Sequence, residues 1–386
     1  MTDVHHGKEG AKATRRLLAG VVAMIVMIGM VQSATAEHVG ANHAKPTVES
    51  AMAMYTPASP VQGRLTIAGS DTMQPIMTKL AMEFRRWHPE VKIAVQGSRN
   101  HQESSELPLL GPLLDGLANS RRGDGKTSGH FGSNDVRLLA SSRELTTGEI
   151  KRFVARYGYE PTAIPVAQDA VAIYVHRENP IQGLTLEQLD AIFSKSRKRG
   201  ARELIVNWSQ VGVEAWPKAP LRLYGRDKRS TGTRPFFTHT VLLDGEFNDR
   251  VREEPGSASV VLAVANDPYG IGYSGIGFES TGVREVPLAE RAGMPFVLPT
   301  SDTVKSGAYP LSRNLYLYVN KAPNEELPAA ILEFLRFINS QSGQQAVVKA
   351  GVYPLTAMQV ARNLRALTGT DVQAASLSSL SQAHQK

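Results

Sequence analysis

Between a run of strand-like apolar residues and an amphipathic stretch, the chain reads Gly69, Ser70, Asp71, Thr72, Met73. Hydroxyls and a carboxylate at such a junction have two chemistries open to them. They can cap the helix that follows, or they can join its unpaired N–H groups and positive dipole end in holding an anion. The string "YGRDKRSTGTRPFFTHTVLL", residues 224 to 243, has the same layout. Thr231, Gly232 and Thr233 stand where a second helix begins, and the glycine lets an oxyanion approach the backbone closely. Arg226, with Arg229 or Arg234 beside it, offers a guanidinium fork that matches a tetrahedral oxyanion. A third polar turn, in "LLASSREL", brings Ser141, Ser142 and Arg143. Each turn alone is a helix cap. Three together describe a small anion held in a dry cleft.

The elements that must position these turns follow from periodicity. After the first turn, Pro75 stands at a helix start, and Ile76, Leu80 and Phe84 fall on one face. "TTGEIKRFVARYGY" follows the third turn, and "RPFFTHTVLL" follows the second. The runs "RLTIAGS", "VKIAVQ", "DAVAIYVH", "LRLYGR", "GIGYSGI" and "LYLYVNK" read as strands. Strands alternating with amphipathic helices predict an α/β fold built on central sheets, in two domains or lobes for a chain of 386 residues. Residues 37 to 61, small, polar and Pro-containing, read as a flexible lead-in without a core of its own. Residues 117 to 134 read as a long surface excursion, and the tail from 363 to 386 is expected to fray.

Composition narrows the functional class. The formal net charge is +7, but Lys and Arg alternate with acids and aromatics make up only 6%, which argues against a nucleic-acid surface. Arg15 and Arg16 precede the apolar run "LLAGVVAMIVMIGMV", which ends in Ala34, Thr35 and Ala36. That arrangement is a secretory signal peptide over residues 1 to 36, with cleavage before Glu37, and the run is shorter than the ~20 residues a spanning helix needs. Cleavage removes four bases and two acids, lowering the charge from +7 to +5. The chain has no cysteine, which excludes disulfides, thiolate metal sites and a lipid-bearing cysteine at the cleavage point. A periplasmic location fits.

Three strings fail as motifs. "GIGYSG" satisfies the dinucleotide pattern, but no amphipathic helix follows to face a pyrophosphate. "GDGKT" resembles the end of a phosphate-binding loop, yet the first glycine of that motif, five residues before Gly125, falls on Ser120. The ten His residues show no ligand spacing, so no metal and no cofactor are expected. No nucleophile-elbow pattern or obvious base beside a nucleophile supports an enzyme.

The strings "TIAGSDTM", "LLASSREL", "YGRDKRSTGT", "PGSASVVLAVANDPYGIGYSGIGF" and "AYPLSRNLYLYVNKAP", in that order, resemble the periplasmic phosphate-binding proteins of ABC transporters, the PstS-like branch of the type II periplasmic binding fold. The resemblance runs from about residue 62 to about residue 360. It implies two α/β lobes, residues 62 to 171 with 306 to 362 and residues 172 to 305, joined by a hinge and closing on dehydrated inorganic phosphate. It implies an inner-membrane ABC permease as partner and a monomer in solution.

By position, the resemblance assigns ligand contacts to Ser70, Thr72 and the Met73 backbone N–H, to Ser142 and Arg143, and to Arg226, Thr231, Gly232 and Thr233. Two departures matter. The Arg226 loop is one residue longer than the family spacing, so Arg229 is an alternative to Arg226. After "VQG" the insertion "SRNHQE" leaves the anion-loop serine as Ser98 or the pair Ser104 and Ser105, with Ser105 taken as the candidate. A proton-accepting carboxylate favours HPO4 over sulfate, because sulfate brings no proton to share. Asp71 is the candidate acceptor, with Glu144 in reserve. Alternatives are a binder of another tetrahedral oxyanion such as sulfate or molybdate, a secreted phosphatase-like relative, or a sensor or adhesin on the same scaffold.

Overall fold

The computed structural model describes residues 46–97 and 138–368. The first segment holds strand β1 (Gly63–Gly69), helix α1 (Gln74–Phe84) and β2 (Val91–Gly97). Then come β3 (Leu138–Ser141), α2 (Thr147–Tyr157), the long β4 (Thr162–His176), β5 (Leu184–Thr185) and α3 (Leu186–Phe193). A central group follows: β6 (Arg222–Arg226), α4 (Thr233–Thr240), β7 (Val251–Glu254), α5 (Ser257–Ala265) and β8 (Gly270–Gly275). The chain continues through β9 (Val283–Glu285), β10 (Leu288–Ala289), α6 (Ser301–Lys305) and β11 (Ser312–Val319), and ends in α7 (Ala329–Ile338), α8 (Gln341–Lys349) and α9 (Ala357–Thr368).

Nine of these strands form one sheet in the order β2-β1-β3-β11-β4-β8-β6-β7, with β9 also on β4. At one end, β1 is parallel to β2 and β3. At the other, β6 is parallel to β7 and β8. The middle is antiparallel: β4 pairs with β11 through its first half and with β8 through its second. At the sheet edge β7 (VREE) keeps exposed charges, whereas parallel strands inside the sheet, joined by helical crossovers, are covered on both faces. The all-buried β8 is the clearest case, and it explains why "GIGYSG" is a strand rather than a nucleotide loop.

Two large cores meet along β4 and β11. Ile164, Val166 and Ala167 of β4 and Leu315, Leu317 and Val319 of β11 belong to the core packed with α1, α7 and α8. Val171, Ile173 and Val175, farther along β4, belong to the core that holds Trp208, Phe237 and Tyr273. In that second core Phe237 stacks on Tyr273 at 4.0 Å between ring centroids, an arrangement that adds about 1 kcal/mol beyond simple burial. At Gly69, where φ is +142°, a Cβ would stand 2.0 Å from the carbonyl oxygen of Ala140. Only glycine lets β1 run this close to β3 as the chain enters the first polar turn.

Two expectations are corrected. The lead-in is not featureless from residue 46 onward: Met52, Tyr55 and Val61 are buried. The Tyr55 hydroxyl lies 2.7 Å from His88 Nε2 and donates to Glu333 Oε2 at 2.8 Å. The expected fraying from residue 363 is also absent up to Thr368, because α9 carries on. Asn363 Nδ2 donates at 2.7 Å to the Pro165 carbonyl and at 2.7 Å to Asn339 Oδ1, tying that helix to β4 and to the end of α7. Residues 117–134 lie outside the described residues. Among the described residues no helix is long and apolar enough to cross a membrane.

Candidate functional site

The first two capping questions are settled by where the helices start. The N-cap of α1 is Met73, whose side chain makes no capping bond, and that of α4 is Gly232, which has no side chain to make one. Helices α2 and α3 differ: Thr146 and Thr185 cap them, each in a reciprocal capping box with Glu149 and Gln188. The hydroxyls beside α1 and α4 instead meet each other. Thr72 Oγ1 lies 3.1 Å from Thr233 Oγ1, which joins two turns 161 residues apart, and Ser70 Oγ lies 3.1 Å from Ser142 Oγ. All four of these residues are buried. Gly232 stands against the same group, since a Cβ there would be 1.7 Å from Ser142 Oγ and 3.0 Å from Ser70 Oγ.

The other sequence candidates surround this cluster in distinct ways. Thr231 is buried, and its Oγ1 has no hydrogen-bond partner. The Met73 side chain is in the core, and its N–H donates to the Ser70 carbonyl at 2.9 Å, closing the turn. Asp71 packs beside the end of β2, where a Cβ on Gly97 would be 2.5 Å from Asp71 Oδ1. Arg143 donates from Nε to the Thr231 carbonyl at 3.0 Å and forks onto both oxygens of Glu149 at 2.7 and 2.8 Å. Burial opposes charge on Glu149, but the Arg143 guanidinium and the Thr146 donors prevail and hold its carboxyl below the usual range. Arg143 thus braces the backbone of the 231 to 233 turn.

Arg226, only 2% exposed, ends β6. Its Nη1 donates at 2.9 Å to Ser257 Oγ in the first turn of α5, and its N–H donates to the Tyr273 hydroxyl. Arg229 is 66% exposed and pairs with Asp227, so it does not take over the place of Arg226. Arg234 turns to Glu253 at 3.1 Å and to the Arg226 carbonyl. Glu144 accepts from the Tyr316 hydroxyl at 2.9 Å. Ser98, Ser104 and Ser105 lie outside the described residues.

Sequence reasoning missed one pair. Arg313 of β11 faces Asp169 of β4 in register, donating from Nε and Nη2 to Asp169 Oδ2 at 2.8 and 2.6 Å, with both side chains 2% exposed. Arg313 Nη2 also donates to Thr233 Oγ1 at 3.3 Å, so the pair belongs to the hydroxyl cluster. The signal was present: "AQDAVAIYV" and "LSRNLYLYV" each carry a charge inside an apolar strand, where an ion is buried only when paired. A groove of about 1050 Å³ opens beside the cluster, lined among others by Arg143, Lys228, Arg234, Arg313 and Tyr316.

Chemically, the cluster presents hydroxyls, two helix starts whose N-cap residues make no capping bond, and buried guanidinium groups. Such a set has the chemistry to hold a small, multiply accepting anion. Among the described residues no group of three or more His, Asp or Glu is placed to hold a metal ion.

Comparison with known proteins gives the same direction. The family model for the PBP superfamily domain matches residues 55–342. The phosphate-binding protein PstS of Pseudomonas aeruginosa is 41% identical over 330 residues, covering 85% of this chain and 94% of that protein. PstS of Staphylococcus saprophyticus is 26% identical over 74% of this chain and 78% of its own length. Among solved structures, an ABC-type phosphate transport receptor from Vibrio cholerae superposes with a TM-score of 0.55 at 23% identity, over 75% of this chain and all of that one, a likeness of fold.

Proposed function

We propose, from the premise that this chain belongs to the PBP superfamily and within it to the PstS family of phosphate-binding proteins, that it captures inorganic phosphate and hands it to an ABC permease for uptake. One observation carries the reading at the level of residues. Hydroxyls from separate turns, Ser70 and Thr72, Ser142, and Thr233, gather at two helix starts whose N-cap residues, Met73 and Gly232, make no capping bond. A tetrahedral anion offers acceptors in four directions and suits donors that arrive from several chain segments.

In this reading Ser70, Thr72, Ser142, Thr231 and Thr233 give hydroxyls, the N–H groups of the Gly232 turn give main-chain donors, joined by that of Met73 as it leaves the Ser70 carbonyl, and Arg226 gives charge. Arg143 keeps the 231 to 233 turn in place through its bond to the Thr231 carbonyl. Asp71 is proposed as the acceptor of the phosphate proton, and Ser105 as the serine of the inserted loop. Residues 62 to 171 with 306 to 362, and residues 172 to 305, act as lobes that hinge along β4 and β11, a division supported by the two cores that meet along those strands. Export through residues 1 to 36 places the monomeric protein in the periplasm, and its action on phosphate is binding rather than catalysis.

Calorimetric titration of phosphate, sulfate and molybdate into protein stripped of bound anion tests this directly. Phosphate is expected to bind at least a hundredfold more tightly than sulfate. Thr72→Ala is expected to weaken phosphate binding at least tenfold while leaving the melt of the stripped protein nearly unchanged, about the effect of losing one charge-assisted hydrogen bond. Preference for sulfate or molybdate would replace the assignment, and steady release of phosphate from an aryl phosphate would replace binding with hydrolysis.

A further inference from the structure

We propose that Arg313 is a second guanidinium of the anion site, donating to the bound oxyanion from Nη1 while Asp169 fixes its orientation. The inference rests on the phosphate-binding reading above and adds to it a residue that determines affinity. A guanidinium carries five N–H donors. In Arg313, Nε and Nη2 engage Asp169 Oδ2, and Nη2 engages Thr233 Oγ1 as well. Nη1 keeps both of its protons, is fully buried and has no hydrogen-bond partner. A buried charged donor without an acceptor is rare in folded proteins, and a nearby ligand oxygen is one of the accepted explanations.

Its place in the fold is what makes the orphan donor informative. The Thr233 hydroxyl that accepts from Arg313 is the same one that meets Thr72, so the guanidinium touches the contact between the α1 and α4 turns. Its neighbours leave it little freedom. The ring of Phe236 lies under the guanidinium at 5.4 Å, and Gly275 stands beside the pair, where a Cβ would be 3.8 Å from Nη2 and 3.6 Å from Asp169 Oδ2, in ordinary contact with both. Asp169 answers the charge of Arg313, so the pair supplies directed N–H donors with no net positive charge. Directed donors held by packing favour an acceptor of fixed geometry, which is what a tetrahedral oxyanion presents. Arg313 also lies on the strand between Leu311 in one core and Leu315 in the other, so an anion held there is held at the junction of both.

The test separates a ligand contact from a structural ion pair. Two variants are titrated with phosphate beside the wild type, after removal of bound anion, and the melts of all three are recorded. The double variant Asp169→Asn with Arg313→Gln removes both charges at similar volume, so neither partner is left buried alone. Arg313→Lys keeps a positive charge facing Asp169 but lacks the second arm of the fork. Both variants are expected to lose at least tenfold in phosphate affinity, and the double variant to melt within a few degrees of wild type by that same reasoning. Phosphate affinities within twofold of wild type in both overturn the inference and leave the functional reading intact. A wild type that takes up no phosphate overturns the functional reading and this inference with it. Should the double variant fail to fold, the lysine variant decides the matter alone.

Discussion

A methyl group placed at Gly232 would strike the point where three polar turns converge. Its φ of −123° lies outside the left-handed region that favours glycine, so no left-handed strain stands against alanine there. The side-chain surroundings differ sharply, with Ser142 Oγ at 1.7 Å, Ser70 Oγ at 3.0 Å and Ser142 Cβ at 3.1 Å from the new carbon. Contacts between such atoms are comfortable at about 3.5 to 4 Å. Ser142 is buried and bonded to Ser70, so rotating its hydroxyl aside relieves one contact and leaves the other two. The turns must therefore draw apart. Overpacking of this kind costs about 1 to 3 kcal/mol. If the approach of the turns is required for anion binding, that range corresponds to a loss of about 5- to 150-fold in phosphate affinity. Titration calorimetry on stripped Gly232→Ala protein measures it. Unchanged affinity in Gly232→Ala would refute the idea that these turns close on the ligand together.

The remaining predictions concern the scaffold. Gly69→Ala puts a Cβ 2.0 Å from the Ala140 carbonyl at a positive φ, and a loss of at least about 3 kcal/mol in chemical denaturation is expected, with little folded protein recovered. Burial holds the His88 ring below its ordinary pKa, against the opposing pull of Glu333. As pH falls past the ordinary value near ~6.5, the unfolded chain takes up a proton that the buried ring refuses, so stability drops on acidification. Melts between pH 7.5 and pH 5 should show a shallower decline in His88→Gln than in wild type, and parallel curves would exclude the ring as the cause. Asn363→Ala removes two buried hydrogen bonds and is expected to lower stability by about 1 to 3 kcal/mol, read from urea midpoints.

Local patterns carried the parts of this fold that depend on local physics. The β-branched runs around Ile67, Ile173 and Ile271 are strands, and Pro75 and Pro235 mark helices within a residue or two of their starts. The hydroxyls of Thr72, Ser142 and Thr233 were legible as candidates because three similar turns precede three amphipathic segments. What was not legible depends on partners far along the chain. Asp169 and Arg313 are 144 residues apart, and neither string alone reveals the other. The roles of Tyr55 and Asn363 lie in bonds to Glu333 and to Pro165, so low apolar periodicity made their segments read as loose. Arg143 shows the same limit at short range: its type suggests an anion ligand, and the sequence does not reveal that Glu149, six residues on, meets both arms of its fork.

The two hydroxyl pairs, Thr72 with Thr233 and Ser70 with Ser142, have a consequence for energetics. An arriving oxyanion does not find these oxygens idle. In each pair one proton spans the contact and the other is left to donate, so the ion gains one hydroxyl bond per pair without breaking any, and only further hydroxyl bonds are exchanges close to even. The surplus must come from donors that carry charge or a helix dipole and that no neutral oxygen satisfies as well. Tight retention would then depend on guanidinium geometry together with those spare hydroxyl protons, while the bonds between the paired oxygens keep the interior saturated between one cargo and the next.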